Sequence, residues 1–133
     1  MRVFIDTNIF LDLILKRTFY KEAMLLFNAI EQKIFRGYIL DITILNIDYI
    51  AKKQITDIRE FLDIINQTCV ITGASNSMIR DALAIDNSDL EDNLQYLMAK
   101  ESRCEVIITN DKNFYSKDIE ILSSLEFLDR YLA

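Results

Sequence analysis

The chain has 133 residues, with 21 Asp or Glu against 15 Lys or Arg and no His, for a formal net charge of -6 at pH 7. With 51% hydrophobic and 27% charged residues it has a globular composition, and a single domain spanning residues 1–133 would bury about two-thirds of its unfolded surface. These figures exclude extended disorder, Ser-His and Cys-His catalysis and every His-based metal site, and two cysteines alone cannot close a four-ligand zinc site. The acidic balance also argues against broad phosphate neutralisation as a way of holding nucleic acid.

Short β-branched runs at 2–5, 37–40, 69–72, 106–109 and 119–122 predict strands. Between the first two, Ile9, Phe10, Leu13 and Ile14, then Ala23, Leu26, Phe27 and Ile30 within 20–33, recur at helical spacing. Segments 43–52 and 57–66 read as a second helical pair, 75–85 and 89–100 as a third, and 122–132 as a closing helix. Crossovers of this length join parallel strands and cover both faces of the sheet, so the pattern predicts a three-layer α/β/α domain around four or five parallel strands. With no proline and only Gly37 and Gly73, no linker divides it. Cys69 and Cys104 sit in apolar surroundings with no secretory segment, which predicts buried free thiols in a reducing cytoplasm. No apolar run approaches the ~18 residues of a membrane span.

Parallel sheets place their chemistry beyond the carboxyl ends of the strands. Asp6 directly follows the first strand, Asp111 stands just beyond the fourth, and Asp92, early in the helix before that strand, can lean toward the same crevice. Three acids in one crevice repel, and a hard divalent cation such as magnesium or manganese is their plausible resident. Each acid also has a simpler reading. Asp6 could cap a helix, Asn110-Asp111 is good turn chemistry, and Ser88-Asp89-Leu90-Glu91 reads as a capping box that occupies Glu91. Asp92 projects away from the stripe of Leu90, Leu94, Leu97 and Met98, toward solvent or a second surface. Asp12 and Lys16 have the spacing of a surface ion pair. The chain lacks a second aspartate two positions after Asp6, as a haloacid-dehalogenase phosphatase needs, an aspartate ending the third strand, as a receiver needs, and any glycine-rich phosphate loop.

Phe4-Ile5-Asp6-Thr7-Asn8, Asp92 in a late helix and Thr109-Asn110-Asp111 after a strand together resemble a PIN domain, over nearly the whole chain. The likeness is to small bacterial proteins of the VapC-toxin type. It implies a PIN-like fold and a cytoplasmic, magnesium- or manganese-dependent endoribonuclease, paired with an antitoxin and working as a homodimer. It also implies Asp6, Asp92 and Asp111 as the metal-holding catalytic acids, supported by Thr7 or Asn8 and by Thr109. At the second acidic position of that pattern this chain carries Asn46, as a subgroup of bacterial PIN-like proteins does, and Glu91 is the neighbouring acid able to compensate. Asn46 and the acidic charge also support an alternative, a catalytically weak module that binds RNA or protein. Lys16, Arg17, Lys52, Lys53 and Lys112 are candidates for guiding an RNA backbone.

Overall fold

In the computed structural model, which describes residues 1–132, five strands alternate with seven helices. The strands are β1 (Arg2–Ile5), β2 (Arg36–Leu40), β3 (Val70–Thr72), β4 (Val106–Ile108) and β5 (Glu120–Leu122). The helices are α1 (Thr7–Ile14), α2 (Tyr20–Glu31), α3 (Asp41–Ala51), α4 (Ile58–Thr68), α5 (Asn76–Ala84), α6 (Leu90–Glu101) and α7 (Ser124–Tyr131). All five predicted strands form, some a residue shorter at one end. The closing helix begins at Ser124, because Leu122 completes β5 and Ser123 caps the helix in a full capping box with Glu126.

Every strand pair is parallel, and the sheet order is β3-β2-β1-β4-β5. The chain builds outward from β1 to β3 on one side, then crosses to β4 on the other. The direction of winding therefore reverses between β1 and β4, and a crevice opens at their carboxyl ends. Side chains alternate across the sheet. Val3, Ile5, Ile39, Val106 and Ile108 join one core with Phe10, Leu26, Ile47, Ile65 and Phe127, whereas Phe4, Tyr38, Leu40 and Ile107 join another with Met78, Tyr96 and Ala99. By the same alternation, Asp6 and Thr109 continue the rows of Phe4 and Ile107 and stand on the face covered by α5 and α6.

The face of α6 differs from the one its apolar periodicity suggests. Leu90 is exposed and Leu94 and Leu97 are half-buried, while Asp92, Asn93, Gln95, Tyr96, Met98 and Ala99 are buried. The polar residues of the first two turns face the crevice and Asn93 staples α5, donating to the backbone oxygens of Ala82 and Asn87, so the most apolar stripe is not the most buried. Cys69 and Cys104 are both buried free thiols, as expected. Among the described residues no helix is long and apolar enough to cross a membrane.

Gly37 in β2 has a packing reason: a Cβ there would lie 3.1 Å from Ile5 Cδ1 and 3.2 Å from Ile30 Cδ1. Gly37→Val overpacks the contact between the central strands and α2, and a loss of about 1–3 kcal/mol is expected in the unfolding free energy read from urea titration.

Candidate functional site

The site is organised by Asp6. Its backbone is extended at the start of α1, where it occupies the N-cap position without making a side-chain cap bond. The carboxylate instead points into the crevice and is 7% exposed. Thr109 Oγ1 donates to Asp6 Oδ2 at 2.7 Å, Asn8 Nδ2 donates to the same oxygen at 3.1 Å, and Gln95 Nε2 donates to Oδ1 at 3.0 Å. Asp6 N also donates to Ile108 O, so the first residue past β1 is tied directly to the end of β4. Both carboxylate oxygens therefore accept hydrogen bonds from side chains. Burial raises the Asp6 pKa, the Thr109 and Gln95 bonds oppose that rise, and the nearby charge of Asp111 adds to it.

Around Asp6 the predicted acids do converge. Asp92, 7% exposed, has its pKa pushed up to about 7 by burial first and then by the charges of Asp89, Asp6, Asp111 and Glu91. The Glu91 pKa is likewise raised by burial and by Asp6, against a hydrogen bond from Asn46 Nδ2 to Glu91 Oε1 at 2.8 Å. Asp111 Oδ1 accepts from Asn113 N, so the turn reading holds, while its charge also acts on Asp6 and Asp92. None of the salt bridges among the described residues involves these acids. The site is an uncompensated pocket of negative charge.

The structure corrects two of the simpler readings. The N-cap of α6 is Asp89, whose Oδ1 accepts from Asp92 N at 3.1 Å. The frame is thus one residue later than Ser88-Glu91 implies, which releases Glu91 to meet Asn46 and turns Asp92 inward. Asp12 makes no pair with Lys16: α1 ends at Ile14 and Lys16 has φ 51, so helical spacing is lost before the lysine is reached. Asp12 is buried and accepts from Asn110 Nδ2 at 2.9 Å.

Asn8 and Thr109 hold Asp6, whereas Thr7 Oγ1 lies 3.0 Å from Thr43 Oγ1 and so ties α1 to α3. Asn46 reaches the site only through Glu91. The basic candidates Lys16, Arg17, Lys52, Lys53 and Lys112 are all exposed. Three contributors are not evident from sequence pattern. Gln95 is fully buried, with Oε1 unpartnered. Thr43 is buried against Thr7. Asn110 bridges Asp12 to Ser124, accepting from both the backbone N and Oγ of Ser124. The available signal for Gln95 was its place one turn after Asp92 on the same helix face.

A family description, PIN domain, matches residues 2–113. The chain belongs to the PIN domain family. A protein of Aquifex aeolicus (strain VF5) named Ribonuclease VapC1 is 38% identical to it over 85 residues, which cover 60% of this chain and 56% of that relative. The chain therefore spans little more than half the length of this curated relative. Among solved structures, a toxin-antitoxin complex from Klebsiella pneumoniae superposes with a TM-score of 0.70 at 22% identity, covering 92% of this chain and 97% of the other. The VapBC2 complex of Rickettsia felis, bound to a promoter DNA fragment, superposes at 0.67 and 15% identity, covering 92% and 98%. These structures share the five-stranded parallel PIN fold. The family match contains Asp6, Asn46, Glu91, Asp92 and Asp111, and ends before β5 and α7.

The PIN site of this chain is a set of hard oxygen donors. Among the described residues, no group of three or more acidic or thiol side chains stands close enough together to hold a metal ion by itself. Self-repelling acids set apart in this way suit a magnesium-type ion that keeps much of its water shell and touches one or two carboxylates.

The charge crowding makes a prediction for the metal-free protein. In the window between 3.8, the ordinary value for Asp92, and its shifted value of about 7, the folded state holds a proton that the unfolded chain releases. Stability in EDTA should therefore fall as pH rises from about 4 to 7 and level off above, and Asp92→Asn should flatten that slope in thermal melts. Asp6→Asn should behave oppositely at neutral pH, lowering the melting temperature in EDTA. Its new amide donor faces Thr109, Gln95 and Asn8, which already point donors at that position.

Proposed function

We propose that this chain is a magnesium- or manganese-dependent endoribonuclease that hydrolyses RNA phosphodiesters. We further propose that it is a single-domain, cytoplasmic toxin that works as a homodimer and is restrained by a cognate antitoxin. The observation that carries this reading is the convergence of Asp6, Glu91, Asp92 and Asp111 with no basic partner. Burial first, and then the charges of Asp89, Asp6, Asp111 and Glu91, push the Asp92 pKa up to about 7. Support also comes from the 38% identity to a protein named as a ribonuclease and from the fold shared with toxin-antitoxin complexes.

Asp6, Asp92 and Asp111 would hold the ion, one or two of them directly and the rest through its waters, with Glu91 beside them. When bound, the ion supplies a polarised water and offsets charge developing on the phosphate. The chain's own residues do the positioning. Thr109, Asn8 and Gln95 fix both oxygens of Asp6, so it meets a ligand without reorganising. Asn46 holds Glu91 toward the same crevice, so α6 supplies an acid where α3 presents an amide. With no histidine in the chain, carboxylates are the groups available to accept a proton from an attacking water.

The second reading is a catalytically weak RNA- or protein-binding module, and it rests on Asn46. The two readings separate on a manganese titration by calorimetry combined with incubation of structured and single-stranded RNA. Metal binding with cleavage abolished by EDTA supports the enzyme, whereas no heat at millimolar manganese with intact RNA supports the module. Asp92→Asn and Asp111→Asn should each abolish cleavage, and near wild-type activity in both would place the site elsewhere.

Asn46→Asp replaces the donor to Glu91 with a second carboxylate at the same 2.8 Å contact. The metal-free variant should lose about 1–3 kcal/mol of stability, from the lost charged hydrogen bond and the new repulsion. Its manganese affinity should rise about tenfold. Melting in EDTA and calorimetric titration test the two signs together, and unchanged values for both would remove position 46 from the site.

A further inference from the structure

A cavity of about 620 Å³ adjoins the acidic site on its β4 side. Its lining includes Thr109, Asp111 and Lys112 from beyond β4, the apolar Ile121 and Leu125, and Phe19 from the connection between α1 and α2. Phe19 is 39% exposed and takes part in none of the aromatic pairs among the described residues. Lys112 is exposed and is in no salt bridge among them. Two carboxylates also line it: Asp111, which accepts from Asn113 N, and Glu126, which is engaged in the capping box with Ser123 and feels the charge of Lys112. Lys16 and Arg17 are exposed on the same connection as Phe19.

A protein of net charge -6 does not hold RNA by blanket charge neutralisation, so its grip must come from local contacts that tolerate an acidic background. Stacking of a base on an exposed aromatic ring is such a contact, since every base has a π-face and the attraction does not depend on net charge. The cavity has the size of a small-ligand pocket, an open aromatic face, apolar lining residues and a cation beside the acid that borders the cleavage site.

We propose that this cavity is a nucleobase subsite for single-stranded RNA. The base of the nucleotide next to the scissile phosphate lies on the Phe19 ring over Ile121 and Leu125, and Lys112 receives an adjoining phosphate. The proposal rests on the ribonuclease reading above and adds the portion of the substrate that the site grips.

The chain contains no tryptophan, so Phe19→Trp installs a single emitter on the ring position. In buffer with calcium in place of manganese, a single-stranded oligoribonucleotide of mixed sequence should quench that emission to saturation. By anisotropy of the labelled oligonucleotide, Phe19→Ala and Phe19→Leu should bind about tenfold more weakly, and Phe19→Tyr should bind like the wild type. Lys112→Ala should reduce the salt slope by about 0.7, the value for one single-strand phosphate contact. Manganese affinity of Phe19→Ala should be unchanged. Emission that ignores saturating RNA, or Phe19→Ala binding and cleaving like the wild type, overturns the subsite while the nuclease reading stands. A purified antitoxin that quenches the tryptophan when RNA does not would assign the cavity to a protein contact instead. Wild-type protein that neither binds nor cleaves RNA overturns both.

Discussion

A buried carboxylate with three donors from three different segments, Asp6, is the constraint on which the rest of the arrangement depends. Leaving an anion 7% exposed without partners would cost several kcal/mol, and the cost is offset only when Thr109, Asn8 and Gln95 are all in place. That requirement locks the end of β1 to the end of β4 and draws α6 against both. The backbone bond from Asp6 to Ile108 serves the same junction. The crevice at the reversal of the sheet order is thus braced by polar contacts where neighbouring layers are braced by apolar ones.

The same site shows why apolar packing alone would describe α6 badly. Its first two turns direct Asp92 and Gln95 inward, and the apolar contribution comes later, from Tyr96, Met98 and Ala99. Gln95 carries an unpartnered buried oxygen, which an ordinary core would not retain, because its amide is committed to Asp6. Asn110 does similar bracing farther from Asp6. It joins Asp12 of α1 to Ser124 at the start of α7 and steadies the turn that carries Asp111.

Asn46 and Glu91 form a matched exchange. An amide on α3 and an acid on α6 contribute one negative charge between them, whereas an acid at both places would set two like charges at hydrogen-bond distance. The hydrogen bond between them keeps Glu91 oriented and half-buried. The site therefore retains four carboxylates while its α3 wall stays neutral, and an amide at position 46 is compatible with an intact acidic crevice.

Taken alone, the sequence determined the alternation of strands and helices, the parallel three-layer architecture, two acids just beyond strand ends and a third early in a late helix. Those signals are local: β-branched runs, helical periodicity, and an acid immediately after a strand whose carboxyl end must lie on the functional edge. Tertiary structure alone decided which polar residues face inward. Asp12 read as a surface residue and Asn110 as part of a turn, and nothing in the pattern marked Gln95 or Thr43, because a polar side chain turns inward only when a partner distant in sequence is waiting for it. Gln95 and Asp6 are 89 positions apart, and Asn110 and Asp12 are 98. The cap of α6 followed the same logic. Asp89 and Ser88 are both good N-caps, and the one-residue choice between them turned on the crevice, where Asp92 and Glu91 reach the site only in the frame that Asp89 sets.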